Sequence, residues 1–250
     1  MSALWFEADW PAPRGVRAIS TCRGGVGNGG VSVAPYAEFN LGDHVGDDAA
    51  AVAENRRRLK AWAGLPEDPA WLGQVHGTTV VDLDAAGRRD PADAAMARMK
   101  GKVCAILTAD CLPVVLTTDI GDRVAAAHAG WRGLAAGVLE ATVRALDART
   151  GYLMAWLGPA IGPQHFEVGE EVRDAFVSTD PEAAAAFKPN ARGRFMADLP
   201  GLARRRLEKL GVSRIYGGGE CTYARSDRYY SYRRDGITGR QATLIWRERS

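Results

Sequence analysis

Cysteine and histidine are both scarce, with four of each among 250 residues. Cys22, Cys104, Cys111 and Cys221 form no CxxC pair and no dense array, which argues against a disulfide scaffold. In a reducing compartment such thiols are free or serve as ligands, and any one of them reads first as a small buried hydrophobe. No sign of charge dominates. The 32 basic and 30 acidic side chains leave a net charge of +2, so neither nucleic acid nor an anionic membrane is expected as a partner. Long apolar runs are missing too. The longest stretch without Asp, Glu, Lys or Arg, Thr150 to Phe166, is too short to cross a bilayer comfortably and contains Pro159, Pro163, Gln164 and His165. The first nine residues lack the basic region of a signal peptide, so a cytoplasmic protein is expected. There is no repeat, low-complexity tract or linker. Residues 1–250 therefore read as one domain, long enough to bury a core without covalent staples.

The segments that are present alternate between two periodicities. Asp47 or Asp48 can cap a helix running to about Trp62, with Val52, Leu59 and Trp62 on one face and Gly64 and Pro66 ending it. Trp71 to Leu83 reads as a strand with a turn at Gly77, and Val103–Thr108, Leu112–Thr117 and Val124–His128 read as further strands. A helix is expected from Trp131 to Ala148, a strand from Leu153 to Leu157, and a short helix from Gly169 to Val177. Asp198 caps another helix, with Pro200 in its first turn. The C-terminus, Tyr229 to Trp246, reads as two strands around Asp235-Gly236. The glycine-rich run Gly24 to Gly30 lacks the ending of a P-loop and no good helix follows it at once, so it reads as a hairpin turn. Together these make an α/β protein with mixed sheets.

Chemistry is expected where strands end. His76 meets a glycine turn in Gln74-Val75-His76-Gly77, Cys111 sits in the break Ala109-Asp110-Cys111-Leu112-Pro113, and His128 leads from a buried strand into Gly130-Trp131-Arg132-Gly133. Two imidazoles and a thiolate suit zinc, which keeps a fourth position open for water in catalytic sites. Copper also accepts this donor set. The three are too far apart for a short zinc pattern, so two readings compete with this one. Each residue can be an ordinary core or surface residue, or Cys111 can be a nucleophile activated by His128, with a carboxylate such as Asp110 orienting the ring. Asn40 and His44 are candidates for substrate contact, and Asp93 is a loop carboxylate that can move protons, as can Asp110. His165 reads as a loop residue. Arg56-Arg57-Arg58 and Arg204-Arg205-Arg206 read as solvated helix faces, and Arg233-Arg234 as a solvated or fold-stabilising pair rather than a phosphate clamp.

Several separated motifs resemble those of the bacterial YfiH-type family, variously called laccase-domain proteins, multicopper polyphenol oxidases and purine nucleoside phosphorylases. They are Asn40-Leu41-Gly42 with His44-Val45-Gly46-Asp47-Asp48, Gln74-Val75-His76-Gly77, Thr108-Ala109-Asp110-Cys111-Leu112-Pro113 and His128-Ala129-Gly130-Trp131-Arg132-Gly133. Later come Gly158-Pro159-Ala160-Ile161-Gly162, Phe166-Glu167-Val168-Gly169 and Tyr230-Ser231-Tyr232-Arg233-Arg234-Asp235-Gly236 with Gly239-Arg240-Gln241-Ala242. The resemblance implies a layered α/β/β/α fold akin to cysteine hydrolases, with His76, Cys111 and His128 as zinc ligands. It implies phosphorolysis of adenosine, inosine, guanosine and methylthioadenosine, with purine nucleoside and phosphate as substrates, and deamination of adenosine. The family is also linked to an amidase activity that edits peptidoglycan precursors. The older oxidase name fits less well, because a multicopper cluster needs more histidines than this chain has. One departure stands out: Thr21-Cys22-Arg23-Gly24-Gly25 carries a cysteine where the family pattern runs Thr-Arg-Gly-Gly.

Overall fold

Side-chain alternation along a few strands decides the architecture. In this computed structural model, which describes residues 4–24, 29–85 and 91–249, the strands are β1 (Trp5–Glu7), β2 (Val16–Thr21), β3 (Val80–Asp82), β4 (Ala94–Ala97), β5 (Val103–Thr108), β6 (Leu112–Thr118), β7 (Val124–Ala129), β8 (Leu153–Leu157), β9 (Glu167–Val168), β10 (Phe187–Pro189), β11 (Phe195–Ala197), β12 (Arg214–Gly217) and β13 (Gln241–Arg247). The helices are α1 (Ala49–Trp62), α2 (Trp131–Ala136), α3 (Val138–Leu146), α4 (Glu170–Val177), α5 (Leu199–Lys209) and α6 (Tyr232–Asp235). One sheet has the order β1-β2-β13-β5 and is antiparallel throughout. A larger mixed sheet has the order β12-β8-β6-β7-β4-β3, and a small one joins β10, β11 and β9.

Strands buried on both faces must supply apolar residues to two layers at once. On β6, Val114 and Leu116 point into one cluster and Val115 into another; on β7, Ala125, Ala127 and Ala129 part from Val124 and Ala126 in the same way. Cys104 and Ile106 of β5 and Ile245 of β13 meet Val115, Ala126 and Trp156 between the two large sheets. The outer face of the larger sheet is covered by α3 and α5 through Leu139, Val143, Leu202 and Leu207. The outer face of the four-stranded sheet packs on α1 through Leu59, with Phe39, Leu41 and Trp246. The layers therefore run helix, sheet, sheet, helix, as expected. The middle layer mixes small residues, Ala18, Ala95, Ala97 and Ala126, with larger ones such as Ile106, Val115 and Trp156.

Helix starts follow their capping chemistry. The Asp48 carboxylate accepts from the Ala50 N–H at 2.7 Å, and the Asp198 carboxylate accepts from Gly201 N–H at 2.9 Å. Four expectations need correction. The stretch from Trp131 to Ala148 is two helices, because Gly137 turns left-handed at φ +101° and breaks the ladder. Within Trp71–Leu83 only Val80–Asp82 is strand, since the backbone around His76 bonds to a side chain rather than to a neighbouring strand. The C-terminal hairpin is instead α6 followed by β13. Ser231 caps α6 by accepting from Arg234 N–H, and the Arg234 guanidinium gathers the carbonyls of Thr222, Tyr223 and Tyr229. Trp62 is 49% exposed, stacked over Phe39 at 6.1 Å rather than buried beside Leu59.

The arginine runs are not uniformly solvated. Arg56 lies over the Trp71 ring at 4.5 Å and donates to Leu41 O, while Arg206 pairs with Glu140 and donates to Ala135 O. Of the Gly24–Gly30 turn, residues 25–28 lie outside the described residues; Gly29 and Gly30 lead into turns and then α1, not into a second strand. Arg23 clamps the same region, with its guanidinium 5.1 Å over the Tyr230 ring and its carbonyl accepting from Glu38 and Phe39 N–H.

Candidate metal centre and its cavity

Strand register brings two of the expected ligands together. In the β6–β7 ladder Pro113 pairs with His128 and Leu112 with Ala129, so Cys111 stands just beyond the end of β6, beside Gly130. In the β4–β7 ladder Ala94 pairs with Ala127, which sets Asp93 against His128; the His128 N–H donates to the Asp93 carbonyl at 2.7 Å. Cys111 also lies where the chain crosses from β5 in one sheet to β6 in the other. His76 arrives from the irregular segment before β3, and Gln74 anchors that segment to β5. The Gln74 amide donates to Leu107 O and accepts from Leu107 N–H, both at 2.8 Å.

His76, Cys111 and His128 converge. One ligand atom from each lies within 4.8 Å of the other two, with Cys111 Sγ 3.8 Å from His76 Nε2 and the two rings 4.7 Å apart. Asp93 organises both histidines. Its Oδ1 accepts from His76 N–H at 2.8 Å and lies 2.8 Å from His128 Nδ1; its Oδ2 accepts from Gly77 N–H at 2.6 Å and Val75 N–H at 3.2 Å. These bonds hold His76 in a left-handed conformation, φ 61°, which a non-glycine residue adopts only when its surroundings over-determine it. The His128 ring is fixed through Nδ1, which presents Nε2 to the site.

Asp110 is strained as well, at φ 94°. Its carboxylate accepts from Thr222 Oγ1 at 2.6 Å and Arg233 N–H at 2.7 Å, and its carbonyl from Ile161 N–H at 2.9 Å. It therefore positions the Cys111 turn. Gly130 keeps the centre open: a β-carbon there would lie 2.9 Å from Cys111 Sγ, 3.0 Å from His76 Cδ2 and 3.5 Å from His128 Nε2.

Electrostatics favour a deprotonated sulfur. Burial pushes the Cys111 thiol up, but the facing His128 and His76 rings outweigh it and bring the thiol down to about 6. Burial likewise works against a charged His128, yet the Cys111 sulfur and the Asp93 carboxylate raise it. The other thiols differ. Cys104 is fully buried and held well above the ordinary range, and burial also pushes Cys22 up. Cys221 lies outside the centre, where it accepts from Gly162 N–H and lies 3.6 Å from His165 Nδ1, whose ring stacks on Tyr223.

The three donors open into a cavity of about 510 Å³, within the range of small-molecule sites. Trp131, Phe166 and Tyr232 give it aromatic walls, and His44, Arg132, Arg233 and Arg240 give it cationic or titratable ones. His44 stands at this wall, half-exposed. Burial and the neighbouring Arg240 hold its imidazole toward the neutral form. Asn40 does not reach the cavity. It is fully buried, donates to Gly42 O and Asp47, and accepts from the N–H groups of Gly42 and Arg240, so it shapes the loop that carries His44. Asp93 and Asp110, both read as proton carriers, have their oxygens occupied by donors. As a partner for His128, the structure puts Asp93 where the sequence suggested Asp110. Arg132, Arg233 and Arg240 all lie inside the family motifs but were not singled out as site residues, and Arg233 was read as a solvated or fold-stabilising residue. Their signal would have been cationic side chains flanking the ligand segments.

Two helix-covered sheets with a two-histidine, one-cysteine donor set at their shared end define the class: an α/β protein built around a soft N/S centre. The chain belongs to the family described as multi-copper polyphenol oxidoreductase laccase, whose model matches residues 18–248. It is 56% identical over 243 residues to a purine nucleoside phosphorylase of Pseudomonas aeruginosa, covering 97% of this chain and 98% of that one. It is 51% identical over 240 residues to the purine nucleoside phosphorylase YfiH of Escherichia coli, covering 95% and 96%. Among solved structures, a Neisseria meningitidis protein of the DUF152 family matches with a TM-score of 0.93 at 48% identity, covering 99% of this chain and 100% of the other. YlmD from Geobacillus stearothermophilus matches with a TM-score of 0.91 at 31% identity, covering 100% and 98%. Among the described residues no helix is long and apolar enough to cross a membrane.

Proposed function

We propose that this chain is a zinc-dependent purine nucleoside phosphorylase acting on adenosine, inosine, guanosine and methylthioadenosine, with adenosine deamination as a second activity of the same site. The observation that carries the reading is the convergence of His76, Cys111 and His128 at the floor of a cavity with aromatic and cationic walls. The names of the relatives at 56% and 51% identity support it.

The donor set fits a metal ion. Two imidazoles and a low-lying thiol match zinc, Asp93 supplies the usual outer partner of a ligating histidine, and Gly130 leaves room that a β-carbon would fill. His76, Cys111 and His128 would hold the ion, which when bound supplies a concentrated positive charge for polarising substrate. The protein's own groups do the rest. Trp131 and Tyr232, in the cavity wall, offer aromatic surface to a purine, with Phe166 buried behind Arg233. In phosphorolysis a phosphate oxygen attacks the ribose anomeric carbon, the glycosidic bond breaks, and its electron pair leaves on the purine. The proton of hydrogen phosphate passes to the purine nitrogen, so ribose 1-phosphate and free base form with no net charge change. That balance requires no protein carboxylate, in keeping with the engaged oxygens of Asp93 and Asp110.

Copper binds N/S donors more tightly than zinc and would compete for the same three ligands. A multicopper cluster, however, needs more imidazoles than His76 and His128, and His165 lies away beside Cys221. Incubating metal-loaded protein with adenosine and phosphate should yield adenine and inosine by chromatography, and Cys111→Ala should yield neither. If the wild-type protein releases no more base than Cys111→Ala does, the phosphorylase reading is lost.

One observation favours a second reading. Cys111, His128 and Asp93 also form a thiol, imidazole and carboxylate series, the arrangement of a cysteine amidase such as one that edits peptidoglycan precursors. Release of serine from a muramoyl-serine nucleotide that persists after complete metal removal would favour it.

A further inference from the structure

Most guanidinium groups among the described residues are tied to carboxylates: Arg205 to Asp180 and Glu182, Arg98 to Asp82 and Asp84, Arg214 to Asp119. The cavity above the donor set breaks this pattern. Arg132, Arg233 and Arg240 all line it, and none has a carboxylate partner among the described residues. The one carboxylate in the same wall, Asp110, is spent on Thr222 and the Arg233 backbone. Three guanidinium groups without an ion-pair partner outnumber the Asp110 carboxylate and the Cys111 sulfur that face Arg240, so the concavity attracts an anion and raises its local concentration.

The three side chains are also pre-set. Arg240 is half-buried; its stem packs on Gly42, where a β-carbon would come within 2.7 Å of Arg240 Cγ. Its Nη1 donates to the carbonyls of Thr238 and Gly239, both at 3.0 Å, and Nε and Nη2 have no protein acceptor among the described residues. Arg233 is held by Nη1 on Glu167 O at 2.8 Å and by stacking 5.4 Å over Phe166, leaving the same two nitrogens for a ligand. Arg132 lies 4.4 Å over the Trp131 ring. A guanidinium edge with two free N–H donors matches two oxygens of a phosphate.

We propose that Arg132, Arg233 and Arg240 form a receptor for a phosphate dianion in the cavity above His76, Cys111 and His128, and that it seats free inorganic phosphate as co-substrate. The co-substrate role rests on the phosphorylase reading; the receptor itself does not. Its position places an oxyanion beside a nucleoside stacked on the aromatic walls, where a phosphate oxygen can form the new bond to the ribose carbon as the bond to the purine breaks.

The test separates the two claims. Calorimetric titration of inorganic phosphate into metal-loaded, nucleoside-free protein reads the receptor without turnover; wild type should bind, and Arg132→Gln, Arg233→Gln and Arg240→Gln should each weaken binding about tenfold or more. In turnover the same variants should raise the phosphate KM by a similar factor and leave the adenosine KM within about threefold. Arg240→Lys, which keeps the charge and loses the fork, replaces Arg240→Gln if that protein does not fold, and should still weaken phosphate binding. Arg14→Gln, outside the cavity, should change nothing. Phosphate binding that depends on the arginines in a protein without phosphorolysis would sink the enzymatic reading and leave the receptor standing. Phosphorolysis with an unchanged phosphate KM in all three variants would overturn the receptor, as would a wild type that does not bind phosphate. Adenosine 5′-monophosphate distinguishes the source of the anion. If its inhibition depends on the arginines while the phosphate KM does not, the anion is carried on the nucleotide and the proposal falls.

Discussion

Removing the Asp93 carboxylate strands the N–H groups of Val75, His76 and Gly77 and frees the His128 ring to turn. Asp93→Ala is expected to cost about 1–3 kcal/mol by denaturant unfolding, since three part-buried backbone donors and the buried His128 ring lose their acceptor, and to weaken metal binding roughly 10–100-fold in a chelator competition. The pH dependence has a definite sign. Burial works to raise the Asp93 carboxyl, but His128 and the backbone donors prevail and hold it below the ordinary range. Its stabilisation is then present above the unfolded carboxyl's pKa of about 4 and is lost as pH falls through the lower folded value. Wild type should keep its metal at neutral pH and release it in acid as the ligands and then Asp93 take up protons, and Asp93→Asn should bind metal more weakly already at neutral pH. Cys111→Ser is expected to lose bound metal and activity while its circular dichroism stays native, because the layered core does not depend on the ion. Cys111 and His128 were legible as residues at strand ends among small neighbours, whereas His76 lies on an irregular segment, and it was the motif resemblance that joined the three as one ligand set. Asp93's role was not legible, because its partners lie 16 to 35 positions away and only the β4–β7 register brings them near.

At the scale of elements, the breaks matter more than the runs. Gly130 precedes α2 and faces all three donors, so Gly130→Ala should abolish metal binding while leaving thermal unfolding within a few degrees of wild type. A changed Tm with metal retained would show that the glycine serves the helix and not the centre. Strands β5, β6, β7 and β8 and helices α1, α4 and α5 could be read from periodicity and caps, since their sequence preferences agree with their tertiary surroundings. The errors fall where side chains replace the backbone as partners. Asp93 draws the His76 segment out of strand geometry, and Arg234 gathers three carbonyls to make α6 where alternation suggested a hairpin. Such long-range contacts leave little local signature.

Across the whole molecule, the site depends on the spacing of two sheets. Cys111 sits at the crossover from β5 to β6, while His128 lies near the end of β7 within the larger sheet, so the alanine-rich layer between the sheets helps set where the sulfur lies relative to the imidazole. Ala126→Leu, in the middle of that layer, is expected to cost about 1–3 kcal/mol by overpacking. It should also lower metal affinity although it touches no ligand; an unchanged affinity in a destabilised protein would separate the two effects. The layering could be inferred from motif resemblance, but that Ala95, Ala97 and Ala126 of the larger sheet share a buried cluster with Ala18 of the other emerges only from the strand register. The carboxylate of Asp93 carries one more consequence. It seats the segment of one histidine and the ring of another, so the centre is lost or kept as a unit. Gradual tuning of this protein by single exchanges is left to the arginine wall above, where each cation can be weakened without dismantling what lies beneath.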